Sequence, residues 1–113
     1  MKNALKVVQG QLEAYNARDL KAFLEFFSDE VRVFRPPASE PSLMGKAQLE
    51  VFYATQRFNL LGLHAELLSR IVLGNKVFDH ERIHGVQVEP FELVVIYEVQ
   101  AERIQTVWTF APT

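Results

Sequence analysis

The chain has 113 residues, with 12 basic and 14 acidic side chains and a net charge of −2, a balance that argues against a protein living on phosphate backbones. Apolar residues make up 49% and charged residues 23%, as in ordinary globular domains, so residues 1–113 are expected to form one domain around one core. The absence of cysteine excludes disulfides, thiolate catalysis and thiolate metal sites. Nine phenylalanines suggest either a large aromatic core or a cavity lined by aromatic faces. Lys6, Gln9 and Gln11 interrupt any secretory-type apolar stretch, and the longest apolar run, Leu93 to Tyr97, is far below the roughly 20 residues that span a bilayer. A soluble, cytoplasmic protein with no membrane or nucleic-acid partner is therefore expected.

Leu5, Val8, Leu12 and Tyr15 recur at helical spacing with Gln11 beside the stripe. Gly10 weakens that helix by about 1 kcal/mol against alanine, so something packed on it must compensate. Asp19 can cap a second helix whose apolar face is Leu20, Phe23, Leu24 and Phe27. A strand over 31–35 stops at Pro36-Pro37, and three prolines between 36 and 41 make the next stretch a loop. After Gly45 a third helix carries Leu49, Phe52, Tyr53 and Gln56 on one side.

The second half reads as antiparallel hairpins. Strands over 63–73 and 76–85 flank Gly74-Asn75, and strands over 91–100 and 103–110 flank Ala101-Glu102. Helices first and meander strands afterwards predict an α+β fold, with helices covering one face of a curved antiparallel sheet. Pairing across two-residue loops assigns faces. It places Ala65, Leu67, Ser69 and Ile71 with Phe78, His80, Arg82 and His84 toward the core, and Asp79 and Glu81 outward with Arg70 opposite Asp79. A three-residue loop would reverse this parity. In the second hairpin Leu93, Val95, Tyr97 and Val99 join Ile104, Thr106, Trp108 and Phe110 on the core face. The other face, with Val94, Ile96 and Val107 among polar residues, reads as a homodimer interface that Val94→Lys with Val107→Lys would break.

The run YNARDLKAFLEFFSDEVRV, Tyr15 to Val33, resembles the opening of the cone-shaped α+β barrels of nuclear transport factor 2, ketosteroid isomerase and the SnoaL-like polyketide cyclases. GKAQLEVFY, Gly45 to Tyr53, is similar to the same superfamily's third helix, and the order of elements matches over essentially the whole chain. The resemblance implies a cone with a ligand-binding cavity, on a fold that serves isomerases, dehydratases, hydrolases and non-catalytic modules. It does not carry isomerase chemistry to this chain. Gln11 stands where ketosteroid isomerases keep an oxyanion tyrosine, Arg35 where they keep the aspartate base, and Val95 nearest their protonated aspartic acid. Arginine stays protonated and abstracts no proton at neutral pH.

The candidates are then few. His80 on an inward face is a candidate acid/base, Arg82 a substrate anchor and Tyr97 an oxyanion donor. The plain alternatives are a satisfied core histidine, a rim ion pair and a packed phenol. If the parity is reversed, Asp79 and Glu81 become two inward carboxylates that raise each other's pKa, an acid/base site of another kind. Tyr15, Gln11, Arg35, Tyr53 and Trp108 are expected to line the ligand site, Trp108 as wall. His80 and His84 lie about 13 Å apart along a strand, too far for one zinc with bonds of about 2.1 Å, so no metal is expected. The reading is a cone for a small hydrophobic molecule, with cofactor-free proton transfer (isomerisation, dehydration or cyclisation). Its competitor is a non-catalytic binding or dimerisation module. An open pocket of roughly 300 Å³ or more favours the former and a sealed core the latter.

Overall fold

Asn3 opens the first helix by accepting a hydrogen bond from the Lys6 amide at 2.9 Å, the N-cap that frees the chain to wind from Ala4. In the computed structural model, which describes residues 3–112, α1 spans Ala4–Asn16 and α2 spans Leu20–Glu25. Asp19 caps α2 through the Ala22 amide. β1 (Phe27–Phe34) follows, then the short β2 (Leu43–Met44), α3 (Lys46–Gln56), and the strands β3 (His64–Leu73), β4 (Lys76–His84), β5 (Phe91–Gln100) and β6 (Arg103–Phe110). No helix among the described residues is long and apolar enough to cross a membrane.

The strands form one six-stranded sheet in the order β2-β1-β6-β5-β4-β3. The sheet is mixed rather than purely antiparallel, because β1 lies parallel to β6. It curls into an open cone with the helices across its concave side. β1 begins earlier than the apolar pattern implies: Phe27, expected on the second helix, is a buried strand residue opposite Ile104. The inward stripe of α1 is also rotated, with Val7 fully buried and Leu5 40% exposed. Gly10 finds its compensation in Phe26, whose ring lies 2.5 Å from where a Cβ would stand, so only glycine lets this ring seat against the helix.

Both hairpins turn in two residues. Gly74 has a φ of 59°, the first-position geometry that glycine supplies, and Leu73 pairs with Lys76. Farther along, each hairpin contains a bulge that the loop rule does not see. Between the pairs Ser69↔His80 and Leu67↔Glu81 the β3 chain advances two residues while β4 advances one, leaving Leu68 extra. Between Val99↔Ile104 and Glu98↔Thr106 the extra residue is Gln105. Each bulge exchanges the two faces of its strand.

The consequence is a correction of both face assignments. Val77, Asp79, Glu81 and Ile83 are buried and point into the cone, while His80, Arg82 and His84 stand half-exposed on the outer face. Ala65 and Leu67 remain inside with Ile83 and Glu81 opposite, because the bulge lies between them and the loop. On β6 the bulge turns Val107 inward and carries Trp108 and Phe110 outward, where Trp108 stacks on Phe34 at 6.4 Å between ring centroids. Trp108 is therefore no wall of the cavity, and Val107 is no part of the outer face.

Candidate functional site

The concave side of the sheet, α1 and α3 enclose a cavity of about 150 Å³. Asn16, the last residue of α1, fixes one wall. Its side chain donates to the Ala65 carbonyl at 3.0 Å and accepts from the Ala65 amide at 2.7 Å, acting as a strand partner for the edge of β3. Tyr15 is thereby held over the cone, inside an aromatic cluster with Phe23, Tyr53 and Phe58 at ring separations of 5.6–6.2 Å. Phe23 and Phe58 are buried core; Phe27, Phe52 and Phe91 line the cavity. The phenylalanine surplus thus serves both purposes.

Gln11, three tyrosines and Glu81 bring five polar groups into this apolar space. Gln11 is buried, and its Nε2 donates to the Tyr97 hydroxyl at 3.2 Å, which leaves the phenol's own proton free to be given to something else. Burial, reinforced by the nearby Glu81 carboxyl, raises the Tyr97 pKa well above that of a free phenol. Burial likewise raises Tyr53 and Tyr15, the latter against the pull of the Arg57 guanidinium beside its hydroxyl. All three tyrosines are hydrogen-bond donors across the physiological range.

Glu81 is the fifth group. It is 4% exposed, and its Oε2 has no hydrogen-bond partner among the described residues. Burial first, and the negative charge of Asp79 second, push its pKa up to about 8, with Arg70 offsetting part of the rise. Asp79 itself is fully buried but satisfied. Arg70 Nε and Nη2 hold its two carboxylate oxygens at 2.6 and 2.9 Å, and Arg70 Nη1 donates to Gln9 at 2.8 Å. The two inward carboxylates have therefore divided: Asp79 is locked in an ion pair, and Glu81 faces the cavity as an acid near its own titration point.

The cavity mouth is cationic. Arg35, exposed just beyond β1, and Arg57, half-buried at the end of α3, place their guanidinium carbons 5.8 and 5.2 Å from the centroid of the Phe52 ring. Among the described residues neither meets a carboxylate.

Of the residues expected to form the site, Gln11, Tyr15, Arg35, Tyr53 and Tyr97 line the cavity, and His80, Arg82 and Trp108 do not. His80 pairs instead with Glu92 at 2.7 Å, and Arg82 bridges Glu66 at 3.3 Å and Glu92 at 3.5 Å. With His84 on Glu66 at 3.0 Å, they form a charge ladder along the outer face. The hydrogen bonds from His84 and His80 hold the Glu66 and Glu92 carboxyls below the usual carboxylate range. Arg57 was not among the expected residues. Its signal was its spacing: it follows Tyr53 by four positions, one helical turn along the same face.

The SnoaL-like domain family matches residues 8–107. Among solved structures, an uncharacterised cystatin-fold protein from Novosphingobium aromaticivorans superposes with a TM-score of 0.85 at 21% identity, covering 96% of this chain and 98% of that one. A SnoaL-like protein of unknown function from Burkholderia thailandensis gives 0.79 at 20% identity, covering 97% and 95%. A proposed polyketide cyclase from Sinorhizobium meliloti gives 0.79 at 18% identity, covering 96% and 99%. At these identities the likeness is one of fold. No curated protein sequence matches the chain.

Proposed function

This chain belongs to the SnoaL-like domain family, and from that premise we propose that its cone binds a small, largely apolar molecule and moves a proton on it without a cofactor. The observation that carries this reading is the unpartnered Glu81 carboxyl at the bottom of the cavity. A buried acid with no partner contributes nothing to the fold and, with a pKa of about 8, suits general acid–base work near neutrality. The ionised carboxylate takes a proton from carbon α to a carbonyl. The electron pair of that C–H bond moves to the carbonyl oxygen, where the free Tyr97 proton meets the developing charge. Protonated Glu81 then returns the proton to the same carbon or to another. His80, Arg82 and the outer ladder take no part.

The cavity volume limits the substrate. About 150 Å³ falls short of the roughly 300 Å³ expected of an open ligand pocket, so the ligand reading rests on Glu81 rather than on volume, and the cavity admits only a body the size of benzene. A polycyclic molecule does not fit inside it.

The test uses cyclopentanone in D2O, followed by the loss of its α-proton NMR signals. The wild-type protein is expected to exchange these protons faster than buffer, increasingly so as pH rises through about 8, and Glu81→Gln to fall to the buffer rate. Exchange at the buffer rate with wild type, or undiminished exchange with Glu81→Gln, overturns the catalytic reading.

The outer sheet face suits a second copy of the chain. Phe34, Val94, Ile96, Trp108 and Phe110 gather there, with Val94 37% and Phe110 40% exposed, beside a ladder carrying both signs of charge. Val94→Lys with Phe110→Lys is expected to halve the mass in solution; an unchanged mass contradicts the assignment.

A further inference from the structure

We propose that the cone's ligand is a small monocarboxylate, its carboxylate held between the Arg35 and Arg57 guanidiniums at the mouth and its apolar body directed inward toward Glu81 and Tyr97. This rests on the small-molecule reading above and goes beyond it by fixing the ligand's charge and orientation.

Three observations converge. Both guanidiniums lie within 6 Å of the centroid of one ring, Phe52, at 5.8 and 5.2 Å, and both line the cavity. Neither has a carboxylate partner among the described residues, so an anion arriving at the mouth meets two positive charges with no counter-charge in place. Planar guanidinium forks match a carboxylate in geometry as well as in charge.

The charge of the lining points the same way. The one acid among the described lining residues is Glu81, and burial keeps it protonated at neutral pH. The Asp79–Arg70 pair behind it is neutral as a unit. At pH 7 the cavity therefore presents two positive charges at its mouth and hydrogen-bond donors at its depth. An anion enters favourably at the mouth, and a carbonyl or similar acceptor farther along the ligand meets the Glu81 and Tyr97 protons. The apolar walls between (Leu12, Phe27, Leu49 and Val95 among them) leave no place for a second charge.

The experiment compares benzoate with benzamide, a neutral molecule of nearly the same shape, by NMR titration of isotope-labelled protein at pH 6.5. Benzoate is expected to bind at least tenfold more tightly, with shifts at Gln11, Glu81 and Tyr97. This preference should vanish in Arg35→Gln/Arg57→Gln. Raising sodium chloride from about 0.02 to 0.3 M on unaltered protein should weaken benzoate and leave benzamide unaffected, which needs no variant to fold. Equal affinity for the two, or a preference untouched by salt, overturns the carboxylate assignment while leaving the small-molecule reading in place. Binding of neither overturns both.

Discussion

Arg70→Met should lower the stability of the fold by about 3–5 kcal/mol, the usual consequence of stranding a buried charge. The Asp79 side chain has no solvent exposure, and the Arg70 side chain only 12%. The two carboxylate oxygens take their hydrogen bonds from Arg70, at 2.6 and 2.9 Å, so its removal leaves a carboxylate that water cannot reach. Gln9 Oε1, the acceptor of the third arginine bond at 2.8 Å, would lose its partner as well. The double variant Arg70→Met/Asp79→Leu should recover most of the loss, because it removes both charges and fills the space with apolar atoms. Denaturant unfolding of the two variants checks this. Equal midpoints for the single and double variants would contradict it.

Glu81→Gln should act in the opposite direction and stabilise the protein. The folded carboxyl holds its proton up to about 8, whereas in the unfolded chain it ionises near 4.5. Between those values unfolding releases a proton, so wild-type stability falls as pH rises, by at most about 1.4 kcal/mol per pH unit. An amide feels none of this. The variant's advantage is therefore absent below about pH 4, about 3 kcal/mol at pH 7, and levels off above about pH 8. At pH 7 it corresponds to a rise in Tm of about 10 °C. Parallel melting curves for the two proteins from pH 4 to 9 would contradict the assignment. A site residue that costs stability is what the proposed function requires, because the same burial that disfavours its charge sets its proton affinity.

The elements were largely legible in the sequence because helical spacing, the Asp19 cap and two-residue loops are local signals. The ends of β5 and β6 and the pairing of Arg70 with Asp79 follow directly from them. What local signals did not carry was which side of the sheet each residue occupies beyond a bulge. Parity counted from the Gly74-Asn75 turn correctly puts Asp79 with Arg70, but the pattern of Ala65 and Leu67, beyond Leu68, argues for the other face. Both facts are true of the molecule, and only the extra residue reconciles them. The same holds for Ile104 and Val107, whose odd spacing on one buried face marks Gln105 as the bulge. These two residues moved the acid–base candidate from His80 to Glu81 and exchanged Trp108 for Val107 inside the cone. The mouth was harder to read, since Arg35 and Arg57 meet at Phe52 only once the end of β1 and the end of α3 come together.

The central claim is that Glu81 sits in the cone as a carboxylic acid at neutral pH. Carbon NMR of its side-chain carboxyl, followed from pH 4 to 10, tests this most directly. The account predicts a single titration with its midpoint near 8, brought about chiefly by burial and then by Asp79. A midpoint near the ordinary 4.5 would mean that the carboxylate is solvated and charged in the folded protein, and the acid–base site would have to be given up.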